Sequence, residues 1–333
     1  MNVFINGTSA ISSQATFDGN QYLSEWVSPE NEYFKCLEPT YKEVINARLL
    51  RRMSRIIKMG VATSLKSLEE AEVEDPSAIL VGTGLGCLAD TEKFLDAFST
   101  NDGGLLSPTP FIQSTHNTIA GQVSLLLKSH SYAFTYSQRG HSFENALEDA
   151  IAKTSEANAQ VLVGGLDEII PTSLSILNKL ACTPASAKAP FWGEGSAFFI
   201  LSNQASASSY AQISAFETLY NPESDEEVKA WISSSLEKAE ITPSGLDAVV
   251  TGADKKLSEE LFGEIALVSF KNISGEYFTA SALGLNLGAN MVKNQQVFQK
   301  TLILGDGPSK IDNLLIYNNF NNKYHSLILL KKC

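Results

Sequence analysis

The sequence predicts an α/β fold of mainly parallel sheets covered by helices, laid out as two consecutive halves. Three observations carry that expectation. Short apolar, β-rich runs recur along the whole chain, with amphipathic helical patterns between them. Composition is globular, at 44% hydrophobic and 19% charged residues, and 333 residues suffice for two lobes around large cores or one large α/β unit. A small, polar stretch, "SNQASASSYAQ" at 202–212, separates an N-terminal half over 1–205 from a C-terminal half over 206–333.

In chain order, the first half offers strands at "NVFING" (2–7), "AILVGTG" (78–84), "YAFTY" (132–136), "QVLVGG" (160–165) and "SAFFILS" (196–202). The second half offers "LDAVVTG" (246–252), "IALVSF" (265–270), "TLILGDG" (301–307), "NLLIYNN" (313–319) and "HSLILL" (325–330). The last two lie close enough for an antiparallel hairpin. One basic helix is expected over 45–71, with Arg48, Arg52 and Arg55 on one face and Leu49, Met53, Ile56 and Ile57 forming an apolar stripe. It reads either as a half-buried helix with a solvated charged face or as a contact surface for an acidic partner.

A formal net charge of −12 argues against nucleic acid or an anionic membrane as the main partner. No apolar stretch reaches membrane-spanning length, and the start "MNVFINGTSAISS" lacks the basic segment and apolar core of a secretion signal. Cys36, Cys87, Cys182 and Cys333 are scattered, making neither a disulfide framework nor a metal-ligand pattern. The expectation is a cytoplasmic protein with no metal and no cofactor.

The stretch "FTYSQRGHSFENALEDA" (134–150) reads as a strand end, a sharp turn and a helix whose Phe143, Ala146, Leu147, Ala150 and Ile151 share a face. Enzymes place nucleophiles at such elbows, because the turn exposes a side chain and the helix N-terminus stabilises negative charge. A Ser-His-Asp hydrolase centred on Ser137 fits poorly: G-x-S-x-G needs glycines where Thr135 and Arg139 stand, and spacing nominates none of the four histidines as base. "GTGLGCLAD" (82–90) lacks the third glycine of a dinucleotide loop and reads as a structural turn. More informative is an ordered set: "LSPTPFIQSTHNTIAGQVSLLL" (106–127), "GGLDE" (164–168), "FWGEGSAFFILS" (191–202) and "FKNISGEYFTASALGLNLGANM" (270–291).

Taken in order, these pieces resemble the β-ketoacyl synthases of fatty-acid and polyketide assembly. "VFINGTSAIS" is similar to the opening strand of that family, "AILVGTGLGCLADT" to its strand and glycine turn, and the 106–127 segment to its P-x-x-F-x-x-x-x-x-N-x-x-A-G helix. The resemblance covers nearly the whole chain, most strongly 75–202. It implies the thiolase fold: two pseudo-repeated halves in a layered αβαβα arrangement with mixed sheets.

The resemblance also implies what is missing. Condensing enzymes carry the acyl chain on a low-pKa cysteine at the elbow. Here Ser137 falls on the cysteine position, or Gln138 after a one-residue shift. The first family histidine falls on "VVTGADKK" (249–256), which has none. The second belongs to a K-x-x-x-G-H run, in which Lys271 and Gly275 match but Glu276 replaces the histidine. The glycine-rich gating loop is reduced to "NNFNNKYHS" (318–326), with Phe320 alone. Ser137 lacks a family base, and gln-for-cys synthases that decarboxylate malonyl groups keep both histidines.

A chain-length-factor-like subunit, the non-catalytic member of a ketosynthase heterodimer, therefore fits best, with "TYSQRGHSFENALEDA" most like those of bacterial aryl-polyene and flexirubin-type pigment systems. The alternatives are an acyltransferase or malonyl-carrier decarboxylase at Ser137/Gln138, or a structural-only paralogue. The resemblance implies an interface through "SYAFTY", with Tyr132, Phe134 and Tyr136 on one face, although each alone suits a core equally. It places Phe111, Gln113, Thr115 and Asn117 near the partner's tunnel, and gives contact with an acyl carrier protein mainly through that partner. Arg139 has no counterpart in active synthases; it either pairs with Glu276 or Glu144, because unpaired buried charge is costly, or blocks the pocket, or points to solvent.

Overall fold

The structure is a computed structural model that describes residues 2–19, 22–24, 26–27, 33–101, 104–179, 192–253, 255–263 and 265–333; Cys182 lies outside them. The strands are β1 (Val3–Ile11), β2 (Tyr33–Phe34), β3 (Ala78–Gly82), β4 (Tyr132–Tyr136), β5 (Gln160–Asp167), β6 (Trp192–Gly193), β7 (Gly195–Ser202), β8 (Ala211–Tyr220), β9 (Ala248–Thr251), β10 (Ala266–Ser269), β11 (Leu302–Leu304), β12 (Asn313–Phe320) and β13 (Tyr324–Lys331). The helices are α1 (Ala47–Leu50), α2 (Arg55–Glu70), α3 (Leu88–Thr100), α4 (Pro108–Gln113), α5 (Thr118–Leu127), α6 (Ser142–Lys153), α7 (Pro171–Lys179), α8 (Asp225–Lys238), α9 (Lys255–Phe262), α10 (Lys271–Ser274) and α11 (Ala280–Asn294).

Eleven strands share one sheet in the order β11-β10-β9-β12-β13-β8-β1-β7-β5-β3-β4. The order repeats itself. Within each half, the third strand lies outermost, followed by the second, fourth, fifth and first (β4-β3-β5-β7-β1 and β10-β9-β12-β13-β8), with β11 added at one edge. In both halves the second strand pairs parallel with the third and fourth, while the fifth pairs antiparallel with the fourth and first. First strands β1 and β8 join the halves antiparallel. The sheet is thus mixed rather than mainly parallel, because each half closes with an antiparallel return.

Three apolar clusters explain the near-continuous hydrophobic runs. In β7, Ala197, Phe199 and Leu201 point to a central cluster, while Phe198 and Ile200 point to an outer one under α2 and α5. In β12, Leu314 and Ile316 point to the same central cluster, while Leu315 and Tyr317 face an outer one under α8 and α9. Strands buried on both faces lose polar alternation. The central layer contains α6 and α11, and α11 is buried all round, from Ala280 to Val292.

Two expectations need correction. The 45–71 segment is not one helix: α1 ends at Leu50, and α2 starts at Arg55 after Ser54 in an extended conformation. Arg48, Arg51 and Arg52 are exposed, but Arg55 turns inward and forks onto the buried Glu194 at 2.6 and 2.5 Å, with Glu38 at 2.5 Å. With the chain leaving helix between α1 and α2, Arg48, Arg52 and Arg55 do not lie on one helix face. The polar 202–212 stretch also runs into a strand unread from the sequence, β8, whose first residue is Ala211.

Glu194 further accepts from the amides of Cys36 (3.0 Å) and Ile169 (3.0 Å), so its charge is fully engaged. Removing the counter-charge strands a buried carboxylate. Arg55→Ala should lower unfolding free energy by about 3 kcal/mol, within the range for breaking such pairs, as read by urea denaturation. A loss below about 1 kcal/mol would place the pair with ordinary surface bridges.

Candidate functional site

The strand-to-helix elbow forms as the sequence predicts, with α6 burying Phe143, Ala146, Leu147 and Ala150. After β4, Ser137 and Gln138 lead into a short 3-10 turn, Arg139–His141, before α6. The buried Ser142 hydroxyl ties the turn, accepting from the Gln138 amide (2.9 Å) and donating to the Arg139 carbonyl (2.7 Å). Gly82 must be glycine, because a Cβ there would stand 2.4 Å from the Ser142 carbonyl oxygen.

The left-handed residue of this elbow is Arg139, at φ 52°, rather than Ser137 or Gln138. Strained residues at such turns are where nucleophiles sit in other enzymes. An arginine cannot serve as one. Ser137, Gln138 and Arg139 are all exposed. Ser137 Oγ donates at 3.4 Å to the Gly84 carbonyl, and among the described residues no histidine bonds to it.

The segments expected to carry the missing histidines do converge behind the turn. Lys271 Nζ lies 2.6 Å from Glu276 Oε2 and 2.8 Å from the Asn319 carbonyl oxygen, all buried. Burial holds the Glu276 carboxyl above its usual range, and Lys271 opposes that shift. Gly252 packs against Asn318 and Phe270. Glu144 accepts from Ser326 (2.8 Å), and burial raises its pKa. Sequence reasoning missed a histidine contact: His141 Nε2 meets the His325 carbonyl oxygen at 3.1 Å, and His325 Nδ1 meets the Tyr317 hydroxyl at 2.9 Å. Burial pushes the His325 imidazole down to about 4, so it is neutral at physiological pH.

Rings fill the remaining space. Phe320 is buried, with Phe278 at 5.0 Å and Tyr324 at 6.1 Å; Tyr324 meets His141 at 5.1 Å. A Cβ on Gly140 would approach Tyr324 to 2.7 Å and Phe320 to 2.9 Å, so the turn sits directly on these rings. Phe278 and Tyr324 carried no motif that could have flagged them. A groove of about 770 Å³ does exist, but it lies among residues 15–18, 37–44 and 65–69 rather than at the elbow.

Two open alternatives are decided. Arg139 pairs with neither acid: Glu276 is engaged by Lys271 and Glu144 by Ser326, and the guanidinium points outward among the described residues. Tyr132 and Phe134 are not core residues. They are 43% and 49% exposed on the edge strand β4, in a ladder with Tyr136 (ring centres 6.1 and 5.1 Å apart), whose hydroxyl donates to Asp149 at 2.9 Å. Phe111, Thr115 and Asn117 are exposed, while half-buried Gln113 donates to the Arg52 carbonyl. The elbow group and this surface are therefore two places on the chain.

The buried Lys271–Glu276 pair can be tested as structure. Glu276→Gln leaves a buried ammonium without its counter-charge and should cost about 3–5 kcal/mol in denaturant unfolding. Lys271→Met with Glu276→Leu should recover most of that loss, because both charges go together. A double variant as unstable as the single one would refute this.

The profile of the β-ketoacyl synthase N-terminal domain matches residues 24–240. No curated protein matches the chain by sequence. Among solved structures, the ishigamide ketosynthase/chain length factor aligns at TM-score 0.75 and 13% identity over 99% of both chains. A ketosynthase in complex with its chain length factor from Xenorhabdus doucetiae aligns at 0.77 and 14%, over 100% of this chain and 98% of that one. A β-ketoacyl synthase from Burkholderia phymatum gives 0.74 and 15%, over 100% and 99%. The doubled strand order is that of the thiolase fold, and the chain belongs to the β-ketoacyl synthase family.

Proposed function

We propose that this chain is a non-catalytic, chain-length-factor-like subunit. In that role it forms a heterodimer with an active β-ketoacyl-carrier-protein synthase and shapes the tunnel that holds the growing acyl or polyene chain. The observation that carries the reading is the elbow itself, where an outward-pointing Arg139 holds the left-handed position and aromatic rings fill the space behind. The pathway is type II fatty-acid- or polyketide-like, of the aryl-polyene or flexirubin type, and the location cytoplasmic. The halves divide at 205/206.

The β4 edge supports the partner assignment. It leaves backbone groups unpaired beside an exposed aromatic ladder, and such edges are normally covered. The ketosynthase is the proposed cover, as in the solved complexes whose names pair a ketosynthase with a chain length factor. A second reading, acyl transfer or malonyl decarboxylation at Ser137 or Gln138, is favoured only by their exposure. Incubation with acyl- and malonyl-carrier should leave the mass of the intact chain unchanged and release no carbon dioxide. An acyl adduct on Ser137 would end the non-catalytic reading.

If the exposed 111–117 segment walls the far end of the partner's tunnel, side-chain volume there sets product length. Overpacking by a few methylenes costs ~1–3 kcal/mol, about a ten- to hundred-fold change in elongation ratio. Phe111→Ala should lengthen the products of the reconstituted heterodimer, and Thr115→Phe should shorten them. Ser137→Ala should do neither, as read by mass analysis of carrier-bound products. Abolition of product by Ser137→Ala, with the wall variants silent, would instead identify an active site.

Acyl carriers are acidic and a chain of net charge −12 repels them at long range, so the synthase partner is proposed to supply most of the docking surface. Arg48, Arg51 and Arg52 can add to it, whereas Arg55 is already committed to Glu194. Reversing those three charges should weaken carrier binding to the heterodimer modestly and abolish none of its activity. Tight carrier binding by the isolated subunit, unchanged by that reversal, would contradict this.

A further inference from the structure

The α4 segment has only six residues, too few to hold its shape without help from its surroundings. Three contacts fix it. Pro110 is buried, the Gln113 amide donates to the Arg52 carbonyl, and the Thr118 hydroxyl donates to the Ile112 carbonyl at 2.9 Å. None of these touches the Phe111 ring, which is 55% exposed. Its aromatic neighbour is Phe94 on α3, at 5.3 Å between ring centres and an interplanar angle of 51°, within the range of a favourable tilted pair. Phe94 is half-buried and meets Phe98 at 6.4 Å, one turn further along the same helix.

We infer that Phe94 is a positioning residue for product length: it fixes where the Phe111 ring stands, and so where the proposed wall lies. This rests on the tunnel-wall reading of the 111–117 segment. A ring supported on one side and open on the other has alternative staggered χ1 positions, and the Phe94 face selects among them. Without that support, Phe111 can swing aside and admit a longer chain, although its own volume is unchanged. Phe94 thus acts through Phe111 and has no contact with the chain.

The test uses the heterodimer reconstituted with its synthase, with product lengths read by mass and assembly by sizing. Phe94→Ala should raise the ratio of longer to shorter products by about two- to ten-fold, the range expected from losing one aromatic pair. Phe94→Tyr should keep the wild-type distribution, and Phe94→Leu should shift it less than Ala. The Phe94→Ala/Phe111→Ala pair should lengthen products no further than Phe111→Ala alone. If Phe111→Ala lengthens products and Phe94→Ala does not, the support role is wrong while the wall reading stands. If the two effects add, Phe94 is wall itself and the proposed role fails. If neither variant shifts the distribution, the wall reading falls and this inference with it. Should Phe94→Ala fail to assemble, a wild-type distribution from an assembled Phe94→Leu heterodimer overturns the inference.

Discussion

The Asp167 carboxylate at the end of β5 holds the two halves in register around the elbow. Oδ1 accepts from the amides of Gly84 (2.8 Å) and Leu85 (3.2 Å) and from the Thr83 hydroxyl (3.2 Å). Oδ2 accepts from the Thr279 amide (3.0 Å) and hydroxyl (2.8 Å), at the start of α11. Burial pushes its pKa up to about 6 while these donors pull it back down, so it is mainly ionised at neutral pH. The 83–86 turn belongs to the first half and Thr279 to the second. Where the elbow floor sits relative to the central helix therefore depends on this one side chain.

On that frame, the same positions can hold chemistry or structure. Burial and a specific charge partner mark catalytic and structural groups alike, so the partners of each group have to be named. Lys271 and Glu276 bond each other, and Phe320 stacks between Phe278 and Tyr324. His325 is held neutral by burial and bonded to Tyr317. Lys271 and Phe320 are thus held by partners inside the protein, whereas Glu276 Oε1 and His325 Nε2 are buried without a hydrogen-bond partner. The elbow keeps its shape because Gly82, Ser142 and Gly140 specify it through close approach and hydrogen bonds, none of which needs a cysteine.

Much of the fold was legible because strands buried on both faces write long apolar runs, as in "AILVG" and "SAFFILS". β8 was not: its first residues sit in a serine-rich stretch, and its one-sided alternation, "AQISAFETLY", resembles a loop's composition at its start. The inward turn of Arg55 was hidden because its partner, Glu194, lies 139 residues away. Arg139 was legible as a misfit, but its positive φ and outward direction were not, since composition says nothing of which residue takes the left-handed place. The β4 aromatics were ambiguous for a different reason. Alternation reports that one face is covered, and cannot tell a core from another chain.

The β4 edge poses a physical problem of its own. An edge strand of alternating aromatics is an aggregation hazard unless covered, charged or bent away. Lys153 sits 4.7 Å over the Tyr132 ring and Asp149 takes the Tyr136 hydroxyl, so α6 guards only one side of the ladder. Leu125 on α5 and Ile112 on α4 are exposed as well. Covering by a second chain would meet both demands of this edge, pairing its open backbone ladder and removing its rings from water.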